Sequence, residues 1–404
     1  MKVYIAPNGI GLGHITRCEP VARKLIEKGI DVVIASYSDG LDYAKRTGLK
    51  TIESFPINYR IRADGSIDFK MTAATSGFSL GGRKVLKQTI KEIRNLKQYK
   101  PSIVFSDSRA SPLIAAKLLG IPSILMLNQY TIHIIRKPAN NGISLTDELF
   151  FFIANLSWVL IRTLIEGVWS LSDYILIPDF PSPLTICINN LAIPKRYLKK
   201  IRFIGPIVTI EPNQLSEKEE LKKKFGFKPW DSLIYAQVSG PKIDREFLSK
   251  KLIGILRNLS SKYKVILSKG KFDGTNNPKK IDGIIVYDWL DPLTQYEIIK
   301  ACDLIISRAG HGTIMKAMSY GKPLILIPEP NQTEQYANAM RASQLKLARV
   351  IFQNQLSEES LSESIEEILD SSIYSKRALE IGKIANRLDA IGYTTDLIMN
   401  LSKT

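Results

Sequence analysis

The sequence predicts an α/β protein made of two Rossmann-like domains in tandem. Three observations carry this. Apolar runs of strand length alternate with amphipathic runs of helix length, the order of a mostly parallel sheet covered by helices. Glycine-rich turns follow strands at two places, 7–14 in the first half and 307–313 in the second. The 404 residues suit two domains of roughly 200 residues each.

In chain order, residues 3–6 (VYIA) read as a strand. Pro7-Asn8-Gly9-Ile10-Gly11-Leu12-Gly13-His14 leads from it into a helix over about 15–28. Glycines at 9, 11 and 13 allow a tight turn and a close backbone approach to a ligand. Their spacing is not G-x-G-x-x-G, and no clear ribose-binding carboxylate follows the second strand, so the dinucleotide fingerprint fits poorly. His14 falls at the helix N-terminus; capping the helix and acting as a general base are both open to it.

A strand at 31–35, a helix near 41–47 and a strand at 50–55 follow. Residues 56–81 lack a period and suit a binding loop or a surface insertion. The helix at 82–99 sets Arg83, Lys84, Lys87, Lys91, Arg94 and Lys97 mostly at i, i+3 or i+4 spacing. The spacing puts Val85, Leu86, Ile90, Ile93 and Leu96 on the other face. The basic stripe is either a solvated face or a membrane-facing one, where each basic residue contributes about 1 kcal/mol. A strand at 101–107 ends on Asp107, where open sheets place their sites; capping the helix at 112–119 is its other possible role. The most apolar stretch is 146–170, whose uncharged run 149–161 has 13 residues. That is short of the roughly 20 needed to span a bilayer. An interfacial helix, a greasy groove and a buried core helix all fit it. Strands at 174–178 and 200–204 close the first domain, 1–205, and Gly205-Pro206 begins the crossover.

The second domain, 206–385, opens with a charged connector at 211–224. A strand at 232–238 ends in the turn Ser239-Gly240-Pro241. A helix at 244–259 and strands at 264–268 and 283–287 come next, then Asp288-Trp289-Leu290-Asp291-Pro292 and a further helix. A strand at 303–306 ends in Ser307-Arg308-Ala309-Gly310-His311-Gly312-Thr313, a helix spans about 312–320, Gly321 closes it, and a strand follows at 323–327. Such a turn aims backbone N–H groups and the positive helix end at one point, which suits a diphosphate; an ordinary βαβ turn has the same pattern. The last helices are expected over 358–370 and 375–402.

Composition narrows the function. Cys18, Cys187 and Cys302 are odd in number and widely spaced, and the only histidines are His14, His133 and His311. Neither a disulfide framework, a zinc site nor a His-rich metal cluster is indicated. Met1-Lys2 leads straight into a strand, so no signal peptide and a cytoplasmic location are expected. The net charge of +17 is uneven: residues 1–205 hold 28 Lys and Arg against 15 Asp and Glu. A basic half implies an anionic partner. No zinc-finger or RNA-recognition signature is present, so lipid or phosphate is expected rather than nucleic acid.

Gly310 to Thr313, Gly321-Lys322-Pro323, Pro328, Glu334-Gln335 and Asn338-Ala339 together resemble the donor-binding half of GT-B glycosyltransferases. The closest likeness is to the group (glycosyltransferase family 28-like) of the lipid II N-acetylglucosaminyltransferase and the UDP-glycosyltransferases. The G-x-G-x-G-H loop with Gly11 and Gly13 is similar to that fold's acceptor-side loop. The resemblance implies two Rossmann-like domains facing a central cleft, with residues 386–404 as a helix packing back on the first. It implies an inverting, metal-independent enzyme without a cofactor; the sequence has no Asp-x-Asp pair. His14 would be the base and Asp107 its orienting partner. The turn at Ser239 and Gly240, with Gly310, His311, Gly312, Thr313 and Arg308, would meet the diphosphate. Trp289 and Leu290 would hold the nucleotide base, and Glu334 and Gln335 the donor sugar. His311 could instead cap its helix. The donor would be a UDP-sugar carrying N-acetylglucosamine or another hexose. The acceptor would be a lipid or polyprenyl-phosphate-linked molecule, met on an anionic membrane at the inner face of the cell membrane. One position departs from the pattern: Lys316 stands where relatives carry a ribose-binding Glu, and lysine cannot accept hydrogen bonds from a diol. A UDP-N-acetylglucosamine 2-epimerase-like enzyme and a non-catalytic partner subunit are the alternatives.

Overall fold

The computed structural model describes residues 1–56, 80–130, 163, 166–191, 193–240, 242–330 and 332–402. The first sheet holds β1 (Lys2–Pro7), β2 (Asp31–Ser36), β3 (Thr51–Glu53), β4 (Ile103–Asp107), β5 (Ser123–Met126), β6 (Tyr174–Ile177) and β7 (Ile201–Phe203). All its pairings are parallel, in the order β3-β2-β1-β4-β5-β6-β7. Helices α1 (Gly13–Glu27), α2 (Ser38–Arg46), α3 (Leu80–Tyr99) and α4 (Ala110–Leu118) connect the strands. Because helices cover both faces, β1 and β2 are buried along nearly their whole length and read as continuous apolar runs.

The second sheet repeats the pattern with β8 (Leu233–Gln237), β9 (Lys264–Ser268), β10 (Lys279–Ile281), β11 (Ile284–Tyr287), β12 (Leu304–Ser307), β13 (Leu324–Leu326) and β14 (Ala348–Val350). Their order is β10-β11-β9-β8-β12-β13-β14, parallel except for the β10–β11 pair. The chain order reverses between β1 and β4 and again between β8 and β12. At such switch points the loops leaving the strands diverge and open a crevice.

Strands β5, β10 and β14 go beyond the sequence-based expectation. Each has only three or four residues, too few to show a period. The expected single helix over 375–402 is two. They are preceded by α5 (Ile188–Leu191), α6 (Lys218–Lys224), α7 (Lys242–Asn258), α8 (Pro292–Ala301), α9 (His311–Ser319), α10 (Thr333–Gln344) and α11 (Glu358–Asp370). Helix α12 (Ser372–Ala385) then stops, and α13 (Ala390–Leu401) restarts where the Asp389 carboxylate accepts the Gly392 N–H at 2.7 Å.

Helix α3 also differs. Its buried face carries Gln88, Thr89, Glu92 and Asn95, while Leu86 and Ile90 are exposed among the basic residues. The buried polar groups are satisfied: Tyr4 Oη donates to Glu92 at 2.6 Å, Arg109 to Glu92 at 2.5 Å, and Ser111 Oγ to Gln88 at 2.5 Å.

Chain segments are exchanged between the two halves. Phe180, Leu184 and Ile186 pack into the core beneath the second sheet. In return, Ala390 and Ile398 of α13 pack into the core of the first beside α1. The crossovers meet where Gly205 (φ +86°) approaches Leu388 so closely that an added Cβ would lie 2.8 Å from that side chain.

Candidate active site

The site grows from the carboxyl ends of the strands at both switch points. Pro7 pairs with Asp107 across β1 and β4, and the Asn8 N–H donates to the Asp107 carbonyl at 3.0 Å. This fixes the glycine loop against Asp107. Gly9 lies so close to Tyr37 that a Cβ would meet its carbonyl oxygen at 2.1 Å, whereas Gly11 (φ +66°) and Gly13 face open space. The loop delivers His14 to the first turn of α1.

His14 Nδ1 lies 2.8 Å from Asp107 Oδ1. Asp107 is fully buried and His14 about a quarter exposed. Since an ionised carboxylate only accepts, Nδ1 carries the proton and Nε2 is left as the acceptor. Arg17, one turn further along α1, completes the group. Its Nε donates to Asp107 Oδ2 and its Nη2 to Asp107 Oδ1, both at 2.5 Å. Burial pushes the Asp107 carboxyl up, but Arg17 and then His14 outweigh it and hold it far below the ordinary carboxylate range. Arg17 Nη1 also donates to Asn128 Oδ1 at 2.9 Å, and Asn128 Nδ2 donates to Glu334 Oε1 at 2.6 Å. A continuous chain, His14–Asp107–Arg17–Asn128–Glu334, thus crosses from the first domain to α10 of the second. Sequence reasoning missed Arg17 and Asn128. Arg17 had a signal, standing three residues after His14 and so on the same helix face; Asn128 had none.

On the opposite wall, Gly310 caps α9, and neither Gly310 nor Gly312 would bring a Cβ within 4 Å of another group. The start of α9 is therefore open beside Gly310 and Gly312, while the Thr313 N–H donates to the Gly310 carbonyl at 3.1 Å. Ser239 is half-buried and Gly240 exposed at the end of β8, with Gly240 at φ +119°. Trp289 is half-buried and meets Phe272 edge-on at 5.1 Å; Phe272 in turn lies 5.4 Å from Tyr43 and 4.6 Å from the Arg46 guanidinium of the first domain.

Four residues expected at the donor are buried, three of them with side-chain partners of their own. Arg308 is buried: its Nε donates to Asp244 at 3.0 Å, its Nη2 to Asp244 and Gln353, and its Nη1 to the Ile327 carbonyl. Its fork joins β12 to α7. The Gln335 side chain is buried, accepting the Glu329 N–H at 3.0 Å and donating to the Glu329 carboxylate at 3.3 Å, so it shapes the strand-end loop. Leu290 is buried in the second core. His311 Nε2 lies 3.1 Å from Asp179 Oδ2. That carboxylate also accepts the N–H groups of Phe180, Ile186 and Cys187. Asp179, Cys187 and His311 are all buried and close enough for metal ligands, but a cation there would have to displace those N–H donors. Lys316 Nζ donates to Gln295 at 2.8 Å and lies 5.2 Å over the Tyr296 ring.

Residues 247–387 match the glycosyltransferase family 28 C-terminal domain. Over nearly the whole length of both chains, the protein is 28% identical to an uncharacterized glycosyltransferase of Methanosarcina mazei, covering 96% of this chain and 95% of that one. It is 25% identical to the UDP-N-acetylglucosamine–N-acetylmuramyl-(pentapeptide) pyrophosphoryl-undecaprenol N-acetylglucosamine transferase of Oceanobacillus iheyensis, over 79% of this chain and 78% of that one. Among solved structures, CalG4, the calicheamicin glycosyltransferase, aligns with a TM-score of 0.67 at 15% identity, over 99% of this chain and 98% of the other. MurG of Acinetobacter baumannii aligns with a TM-score of 0.59 at 16% identity, over 99% of both. The fold is GT-B, and the protein is a glycosyltransferase whose residues 247–387 are similar to the family 28 C-terminal domain.

Proposed function

We propose that the protein moves a sugar, N-acetylglucosamine or another hexose, from a UDP-sugar to a hydroxyl of a lipid or polyprenyl-linked acceptor at the inner membrane face. The observation that carries this reading is the His14–Asp107 pair, 2.8 Å apart, joined through Arg17 and Asn128 to Glu334 of the second domain. His14 Nε2 takes the acceptor proton while Asp107 stabilises the imidazolium. The freed oxygen attacks the anomeric carbon, the bond to the diphosphate breaks, and the leaving charge falls on the N–H groups at Gly310 to Thr313, with Ser239 and Gly240 alongside. Glu334 holds the donor sugar. One displacement inverts the anomeric centre.

The lipid acceptor is supported by the undecaprenol-linked substrate in the name of the Oceanobacillus relative and by α3. Leu86 and Ile90, 59% and 43% exposed, stand among Arg83, Lys87, Lys91 and Arg94, an apolar and cationic face suited to an anionic interface. No helix among the described residues is long and apolar enough to cross a membrane; the apolar run 149–161 and the loop 57–79 lie outside them.

The test incubates the protein with labelled nucleotide sugars and a membrane lipid extract. Label from one donor should enter the organic phase, and His14→Ala should abolish transfer while donor binding stays nearly unchanged. Undiminished transfer by that variant would remove His14 as the base. Conversion of free donor without acceptor would instead mark epimerase chemistry. Inertness with every donor would favour a partner subunit, for which the Lys316–Gln295 contact is the motive.

A further inference from the structure

The reaction above uses His14 and Asp107 but leaves Arg17 without a task, although Arg17 makes more contacts in the site than either. Both Asp107 oxygens face its guanidinium, at 2.5 Å each. Asp107 Oδ1 is shared with His14 Nδ1, and Arg17 Nη2 comes within 3.2 Å of that same nitrogen. We propose that Arg17 is a positioning residue: the fixed counter-cation that lets Asp107 stay ionised beside a neutral His14. This rests on reading His14 as the base.

The argument is one of charge balance. With Arg17 present, the buried group holds one cation, one anion and a neutral imidazole. Without it, a carboxylate with no exposed surface is unmatched, and a buried uncompensated charge is strongly unfavourable. The closest relief is a proton bound by His14, and a protonated ring cannot accept one from the acceptor hydroxyl. The remaining ionisable neighbours offer no substitute. The Cys18 thiol, 3.6 Å from Asp107 Oδ2, is pushed up by burial and stays neutral, and Glu334 of α10, reached through Asn128, is itself an acid. Asn128, also of the first domain, holds Arg17 in register and is itself bonded to Glu334 of the second, so the counter-cation is tied through it to the other domain.

The test is side-chain NMR of protein labelled with ¹⁵N-histidine, which needs no substrate. With three histidines in the chain, His14→Gln assigns the resonance. In Arg17→Met the second His14 ring nitrogen should take its proton at higher pH than in the wild type, and the acid limb of kcat/KM should move up by about 1–3 pH units. Arg17→Lys, which keeps the charge, should lie nearer the wild type than Arg17→Met. A ring titration and an acid limb both unmoved in Arg17→Met would overturn the proposal. Should that variant not fold, Asp107→Asn decides by the reverse sign. It leaves Arg17 unmatched, so the ring should take its second proton at lower pH than in the wild type; no change would overturn the proposal. Transfer surviving in His14→Ala would sink the base reading and leave the ring resonances as they are, so the two failures are distinguishable.

Discussion

Lys322 shows what a single buried charge does to this molecule. It follows Gly321 at the end of α9, and its Nζ donates at 2.8 Å to the carbonyls of Lys300 and Cys302. Burial pulls its pKa down to about 8; the Cys302 and Asp303 acids oppose that shift and the Lys218 and Lys222 charges add to it. A base whose native value lies below its unfolded value weakens the fold while it is charged. From about pH 8 up to its ordinary value near 10.4 the unfolded chain binds more protons, so stability rises with pH. Lys322→Met removes this dependence. Denaturant titrations at pH 7, 9 and 10 should show wild type gaining on the variant across that interval; parallel curves would refute the shift. At this scale the sequence was partly legible. The glycine turn and the strand end left a helix cap open for both His14 and Asp107; the resemblance paired them, and they lie 2.8 Å apart. The ion pair of Arg308 could not be read, because its partner Asp244 lies 64 residues away and only the packing of α7 on β12 brings it near. Gln335 likewise reads as a sugar ligand until Glu329 is seen to occupy it.

At the scale of elements, the glycine loop is rigid where it meets α2 and open where it meets the cleft. Gly9→Ala would drive a methyl into the Tyr37 carbonyl, 2.1 Å from the ideal position, and should cost about 2 kcal/mol or more with loss of transfer. Gly13→Ala, which meets nothing within 4 Å, should be nearly neutral for stability; equal losses in unfolding experiments would contradict this geometry. Helix α3 gives a second expectation. Lys87→Ala with Lys91→Ala should remove about 2 kcal/mol of attraction to anionic vesicles, roughly 30-fold in affinity, with the remainder weakening as salt rises. Sedimentation with and without anionic lipid measures it, and salt-insensitive binding would refute it. The helix itself was legible from its period, but its facing was not. Gln88, Glu92 and Asn95 look like solvent residues until Ser111, Arg109 and Tyr4 are placed opposite them.

At the scale of the molecule, the two parallel sheets follow from the alternation of strand and helix, which is why the architecture was readable without structure; the order of their strands was not read. The return of residues 386–404 to the first domain was expected from the resemblance alone, since α13 looks locally like any amphipathic helix, and the placing of residues 180–186 in the other core was not expected, since they look locally like any loop. Ile398, fully buried in the first core, lies about 290 residues along the chain from β4, the strand its helix touches. Ile398→Ala should cost about 2–5 kcal/mol. Hydrogen exchange should then quicken in α1 and β1 while amides of β12 and β13 keep their protection. A uniform loss over both sheets would mean that the halves unfold as one unit.

That arrangement sets an order of assembly. A chain leaves the ribosome from its N-terminus, and domains ordinarily fold as they emerge. Here the helix that seals the core around His14 follows the whole second sheet in the chain and is made after it. The first half must therefore wait, with part of its apolar floor uncovered, until the second half has been translated and has carried α13 back to it. The His14–Asp107 pair reaches its finished surroundings only when the second half already exists, so a chain cut before α13 would not present a completed first half on its own.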